Sequence, residues 1–265
     1  MRENFIALTI AGSDPGGGAG IQADLKTFHQ LGVYGTSVVT LVTVQNTVRM
    51  SRVETLEAGL VGEQFDAVLE DLTPQAIKTG ALGTAAIVEA IAGRRFVCPL
   101  VVDPVMVGKH GLGKHALALM DVDARSAMRR LLLPRAALVT PNLDEAAEMA
   151  GIAVQDAESM REAARRIAGL GVGAVLVKGG HLAGGEALDI LWAGGDFTEF
   201  RMARVESRHT HGTGCVYSAA ITAGLARGLG IVEAVGRAKG FVHAAILNAP
   251  GIGGGSGPLG LWGDA

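Results

Sequence analysis

Short β-prone runs alternate with helical stretches along almost the whole chain, and that alternation limits the fold more than any single motif does. Phe5–Ala11 is the first such run. It breaks at Gly12-Ser13-Asp14-Pro15-Gly16-Gly17-Gly18, and a helix over about Ala19–Leu31 carries Ile21, Leu25, Phe28 and Leu31 at helical spacing. Thr36–Val44 is rich in Val and Thr and reads as a strand ending at Gln45-Asn46-Thr47. A helix near Val61–Leu72, a strand at Ala76–Thr79, a helix at Ala85–Ala92 and the run Leu100-Val101-Val102-Asp103-Pro104 continue the series. Beyond the loop Val107–Lys114 come a helix ending near Leu133, a strand at Ala136–Thr140, a helix beginning at Asn142 and a strand at Val172–Val177. Ala187–Ala193 and Phe197–Met202 flank Gly194-Gly195-Asp196 as a hairpin, and a last helix spans about Ile231–Leu247. Strands separated by helices favour parallel pairing, which predicts a mostly parallel sheet covered by helices on both faces. The chain has 265 residues, of which 49% are hydrophobic, with no internal repeat and no linker composition, so one α/β domain over 1–265 is expected.

A net charge of −3 provides no overall attraction to nucleic acid or to an anionic membrane, so a bound phosphate has to be held locally. The two cysteines, Cys98 and Cys215, lie in different contexts without metal-like spacing, which speaks against a disulfide framework and for a reducing compartment. No apolar run is long enough for a signal peptide or a bilayer span, and a cytoplasmic protein is expected.

The stretch suited to holding a phosphate is His211-Gly212-Thr213-Gly214-Cys215, which runs straight into a small-residue helix. The first amides of a helix lack partners, the helix dipole adds positive charge there, and glycines let the backbone approach an anion closely. Cys215 falls in the first turn, where a thiol pKa tends to drop. Asp103, at the end of a buried-looking strand, is suited either to a Mg²⁺–phosphate group or to capping the next helix. Asn142-Leu143-Asp144-Glu145 reads both as a capping box and as a carboxylate on the same rim. Lys178 ends its strand beside two glycines, where its ammonium either meets a phosphate or stays in a surface turn. Gln45 closes an apolar strand with a donor and an acceptor side by side, the pattern of an aminopyrimidine edge. The Gly12–Gly18 loop lacks the spacing of a dinucleotide or Walker loop, and His209 and His211 have no zinc-like partners.

Taken in order, Ile10–Lys26, Val44-Gln45-Asn46-Thr47, Asp103–Val107, Thr140–Ala146, Val177–His181 and His211–Cys215 resemble the bacterial hydroxymethylpyrimidine/phosphomethylpyrimidine kinases of thiamine biosynthesis, members of the ribokinase-like family. Ser256-Gly257-Pro258-Leu259 is similar to that family's terminal loop. The resemblance implies a ribokinase-like three-layer αβα sandwich and ATP-dependent phosphorylation of 4-amino-5-hydroxymethyl-2-methylpyrimidine, then of its monophosphate. It implies that Gly212, Thr213 and Gly214 form an anion hole with Cys215 in the catalytic group, and that Asp103 and Glu145 act around Mg²⁺. Lys178 is expected at the ATP phosphates, and Gln45, Asp24 and Val107 at the pyrimidine. Sugar and pyridoxal kinases of the wider group usually carry Asp where Cys215 stands, which favours pyrimidine chemistry. Pyridoxal kinase activity and a non-catalytic pyrimidine-binding regulator are the alternatives; the latter should have lost Asp103, Glu145 or the Gly-Thr-Gly loop. A homodimer acting on a small pyrimidine, with no nucleic acid and no membrane partner, completes the expectation. Lys109 and Lys114 in the Val107–Lys114 loop are placed to meet a second phosphate from a mobile lid.

Overall fold

The computed structural model describes residues 4–108, 117–180, 182 and 184–262. The chain begins β1 (Ile6–Ser13), α1 (Gly20–Gln30), β2 (Tyr34–Gln45), β3 (Met50–Thr55), α2 (Ala58–Asp71), β4 (Ala76–Thr79), α3 (Ala85–Ala92) and β5 (Leu100–Val102). A two-stranded ribbon of β6 (Val107–Gly108) and β7 (Leu117–Ala118) follows, then α4 (Val122–Ala127), β8 (Leu138–Val139), α5 (Leu143–Ala150) and α6 (Ala157–Ala168). The last elements are β9 (Ala174–Gly179), β10 (Glu186–Ala193), β11 (Asp196–Ala203), α7 (Thr213–Ala226) and α8 (Ile231–Leu247).

The nine-stranded sheet has the order β11-β10-β9-β8-β5-β4-β1-β2-β3. Its centre, from β9 to β2, is parallel; β3 at one edge and β10 near the other run against it, and the edge strand β11, antiparallel to β10, runs with it. Alternate side chains of the central strands enter two separate cores. Leu8, Ile10, Ile77, Val102 and Val177 face α2 to α6 on one side. Ala7, Ala76, Val101, Leu138 and Leu176 face α1, α7 and α8 on the other. Helices therefore cover both faces, as the alternation predicts, and both sets of strand residues are buried. The second face carries the smaller side chains, which lets α7 lie close against the sheet: its residues from Val216 to Ala223 are buried all round.

Two elements depart from the sequence expectation. β3 is a polar edge strand, largely exposed, and lacks the apolar alternation by which strands are read. Only one helix start is expected between Thr140 and Val172, whereas the chain makes two helices there, split at Gly151 in the left-handed conformation (φ 68°). In the second of these, α6, Asp156 accepts from the Ser159 amide as N-cap. The hairpin between β10 and β11 turns on Gly194 and Gly195, both at positive φ (62° and 98°), as a tight two-residue turn requires.

Candidate active site

The carboxyl ends of β1, β2, β5 and β9, with the residues just beyond β4 and β8, open onto a cavity of about 630 Å³, and the head of α7 stands in its wall. Gly212 precedes that helix at φ 82°, and a Cβ there would fall onto the carbonyl oxygen of Gly18, so only glycine fits. Thr213 is folded back: its amide and its Oγ1 both donate to the Thr210 carbonyl, at 3.2 and 2.7 Å. Gly214 and Cys215 supply the next first-turn amides, which the helix itself leaves without an acceptor. Of the Gly-Thr-Gly triplet, Gly212 thus makes the turn, Thr213 locks it, and Gly214 presents a donor.

Beneath Gly214 lies a charged cluster. Lys178, in β9 rather than in a turn, donates to Asp103 Oδ1 at 3.0 Å; a Cβ on Gly214 would sit 3.4 Å from its Nζ. Asp103 also accepts from Thr140 Oγ1 (3.1 Å) and, on Oδ2, from Ser218 Oγ (3.0 Å). It caps no helix, since the ribbon strand β6 is the next element. Asn142 and Glu145 do form the reciprocal capping box, the Glu145 amide donating to Asn142 Oδ1 and the Asn142 amide to Glu145 Oε2. The capping box does not take Glu145 away from the site, since the residue also lines the cavity. Burial pushes its pKa up to about 7; the Lys178 ammonium opposes the rise and Asp103 adds to it. Burial alone would lower the Lys178 pKa, but Asp103 and Glu145 hold it above the ordinary lysine value.

Two expectations need correction. Asp24 does not line the cavity: it projects from α1 into the core, with no exposed side-chain surface, and pairs with Lys78 of β4. Lys78 Nζ donates to both of its carboxylate oxygens at 2.9 Å, and Thr9 Oγ1 donates at 2.6 Å. The Cys215 pKa does not fall at the helix head but rises to about 11. Removal of the sulfur from water is the largest cause, and the charges of Asp24 and Asp103 add to it, outweighing the Lys78 ammonium and the Gly20 amide.

Gln45 at the end of β2 and Val107 in β6 face one arm of the cavity, with Ala11, Ser13, Met50 and Ala81. The opposite arm, beyond Lys178, is lined by Asp189, Met202, Val205, Lys239, Val242 and Ile246. Asp189 and Lys239 form a further buried ion pair at 2.6 Å. The sequence reading missed this pair, Lys78, Thr140, Ser218 and the Asp14–His211 contact. Each lies mid-element or in a loop, and only the assembled sheet shows what it meets. Lys109, His110, Lys114 and His181 fall outside the described residues. Among the described residues no group of three or more His, Cys, Asp and Glu side chains is set to hold a metal ion.

The family model described as phosphomethylpyrimidine kinase matches residues 14–260. A hydroxymethylpyrimidine/phosphomethylpyrimidine kinase from Rhizobium meliloti (strain 1021) is 51% identical over 259 residues, covering 96% of each chain. A crystal structure of a phosphomethylpyrimidine kinase from Clostridium difficile 630 is 40% identical with a TM-score of 0.79, covering 92% of this chain and 100% of that one. An ADP complex of Bacillus subtilis pyridoxal kinase is 35% identical with a TM-score of 0.88, covering 97% of each.

Proposed function

Since the chain belongs to the phosphomethylpyrimidine kinase family, we propose that it transfers a phosphoryl group from ATP to the hydroxymethyl of 4-amino-5-hydroxymethyl-2-methylpyrimidine, and then to the monophosphate so formed, in thiamine biosynthesis. The observation that carries this reading is the position of the α7 head, between a cavity arm ending at Gln45 and one lined by Met202, Val242 and Ile246. The first arm suits an aminopyrimidine read by the Gln45 amide; the second, apolar with the Asp189–Lys239 pair in its wall, suits adenosine.

Phosphoryl transfer asks of a protein mainly alignment and charge stabilisation. The Gly214 and Cys215 amides and the Lys178 ammonium converge where the transferring group would pass, and they are already in place before it arrives. Asp103, Thr140 and Ser218 fix the position of Lys178. Glu145 and Asp103 would hold Mg²⁺. Two carboxylates without a third ligand fit an ion that keeps its waters and takes the rest of its shell from phosphate oxygens. When bound, the ion supplies neutralisation of phosphate charge. A hydroxymethyl group holds its proton tightly, and Cys215 is the cavity group placed to receive it once it has lost its own; burial holds that thiol up at about 11, and Lys78 and the Gly20 amide offset the rise only in part. The monophosphate, already largely dianionic at neutral pH, needs no base. We expect the enzyme to act as a homodimer in the cytoplasm without nucleic acid or membrane. The net charge of −3 speaks against a nucleic-acid or anionic-membrane partner, and among the described residues no helix is long and apolar enough to cross a membrane.

The likeness to pyridoxal kinases favours pyridoxal as a second acceptor. Steady-state assays with ATP and the alcohol, its monophosphate and pyridoxal test the reading, each repeated with Cys215→Ala. Turnover on both pyrimidines is expected, with the variant slowed about 10²-fold or more on the alcohol, the scale of a positioned base, and far less on the monophosphate. Equal losses on the two would make Cys215 a packing residue, and turnover of pyridoxal alone would replace the proposed substrate.

A further inference from the structure

The acceptor arm and the α7 head are joined by a contact that the chemistry above does not use. Asp14, 2% exposed where the first glycine loop leaves β1, gathers four donors. The Gly16 amide donates to Oδ1 at 2.8 Å, and the Gly18 and Ala19 amides donate to Oδ2 at 3.1 and 2.9 Å. The fourth is His211 Nε2, 2.8 Å from Oδ2. Gln22 completes the fold of this loop, its Oε1 accepting from the Asp14 amide and its Nε2 donating to Ser13 Oγ. His211 is the residue before Gly212, and its own amide donates to the Gly257 carbonyl at 3.1 Å. Gly18 has no room for a Cβ, which would enter the His211 ring and press on Pro258. Three loops, from the start, the end and the centre of the site, therefore close around one imidazole.

We infer that Asp14 is a positioning residue for phosphoryl transfer: by holding His211 it fixes the Gly212 turn, and with it the aim of the Gly214 and Cys215 amides. The inference rests on the kinase reading and deepens it. Ser13, Asp14, Ala19 and Gly20 wall the acceptor arm, so one carboxylate sets both where the acceptor lies and where the donors point. Burial by itself would raise the Asp14 pKa. The hydrogen bond and charge of His211, with the Gly16 and Ala19 amides, bring it below the usual carboxylate value, so the Asp14 carboxyl is ionised at neutral pH. A misplacement of about 1 Å between acceptor and donors is enough to cost roughly 10² in rate.

The test compares wild type with Asp14→Asn, His211→Leu and His211→Gln. Four quantities are measured: kcat on the alcohol, the Kd of a non-hydrolysable ATP analogue, the Kd of the alcohol, and the Kd of ADP with aluminium fluoride in the presence of the alcohol. The last mimics the transferring phosphoryl. Asp14→Asn and His211→Leu should lower kcat about 10²-fold and weaken the mimic by a similar factor, while the two ground-state affinities stay within about threefold. His211→Gln keeps an N–H donor and should recover at least about tenfold over His211→Leu. If Asp14→Asn does not fold, His211→Leu decides, since it leaves the three amide bonds of Asp14 in place. Unchanged kcat and mimic binding in His211→Leu, or a loss of kcat matched by an equal weakening of all three ligands, overturns the latch while wild-type turnover keeps the kinase reading. Wild type that neither turns over the alcohol nor binds the mimic overturns both.

Discussion

Glu145 serves a helix and a cavity with one carboxyl, and its protonation records the conflict. The folded value of about 7 lies above the ordinary 4.5, so the group contributes most to stability below about pH 4.5. That contribution is lost as pH rises through about 7, because the unfolded chain ionises freely and the folded one does not. Glu145→Gln stays neutral and keeps the capping-box acceptor. Its melting temperature should match wild type near pH 4.5, exceed it progressively up to pH 7, and keep a constant lead above. Mg²⁺ should raise the wild-type melting temperature above pH 7 and leave the variant unmoved. Calorimetric scans across that range, with and without the ion, check both; parallel curves for the two proteins would mean that Glu145 is solvated. Lys78 and Asp24 show the limit of residue-scale reading. In the sequence Asp24 is one polar residue of a helix, and nothing nearby foretells that Lys78, 54 positions on, will lie 2.9 Å away in the core.

At the scale of elements, α7 and the loop ahead of it carry the site. The helix is built of small side chains because it lies between the sheet, α1 and α8, where bulk would push it off β4 and β1. Its entry depends on a left-handed Gly212 pressed against Gly18. Gly212→Ala should therefore lower kcat on the alcohol by about 10²–10³-fold, the loss seen when one oxyanion donor is misplaced. Strain at positive φ should destabilise the protein by about 1–3 kcal/mol. Single-turnover rates and urea titrations measure the two effects, and an alanine variant with wild-type rate would show that the turn has slack. The small-residue run after Gly-Thr-Gly was legible as a helix head suited to an anion. That Thr213 spends its own amide on Thr210 was not legible, because the bond depends on how the chain enters the turn.

At the scale of the whole molecule, the two cores share one sheet, so neither can be lost without exposing the strands of the other. We expect residues 1–265 to unfold as one unit. Trp192, in β10 one strand in from the sheet edge, should report the same urea midpoint by fluorescence, in a Trp262→Phe background, as far-UV circular dichroism reports for the helices. Separated midpoints would divide the chain into two units. The sequence by itself determined the layer architecture, because the period of buried residues and the glycine and proline breaks are local properties of the chain. It also offered Gln45, Asp103, Glu145, Lys178 and the α7 head as candidates for one rim, because strand ends and helix starts collect at one edge of a parallel sheet, and all of them line the cavity. Only the tertiary structure decided which charges meet. Asp24 went to Lys78 in the core rather than to the cavity, Asp14 to His211, and Asp189 to Lys239. It also decided that the Cys215 thiol would be raised rather than lowered. Pairing and desolvation are set by distance and burial in the assembled molecule, and residues 50 to 197 positions apart in the chain carry no local trace of either.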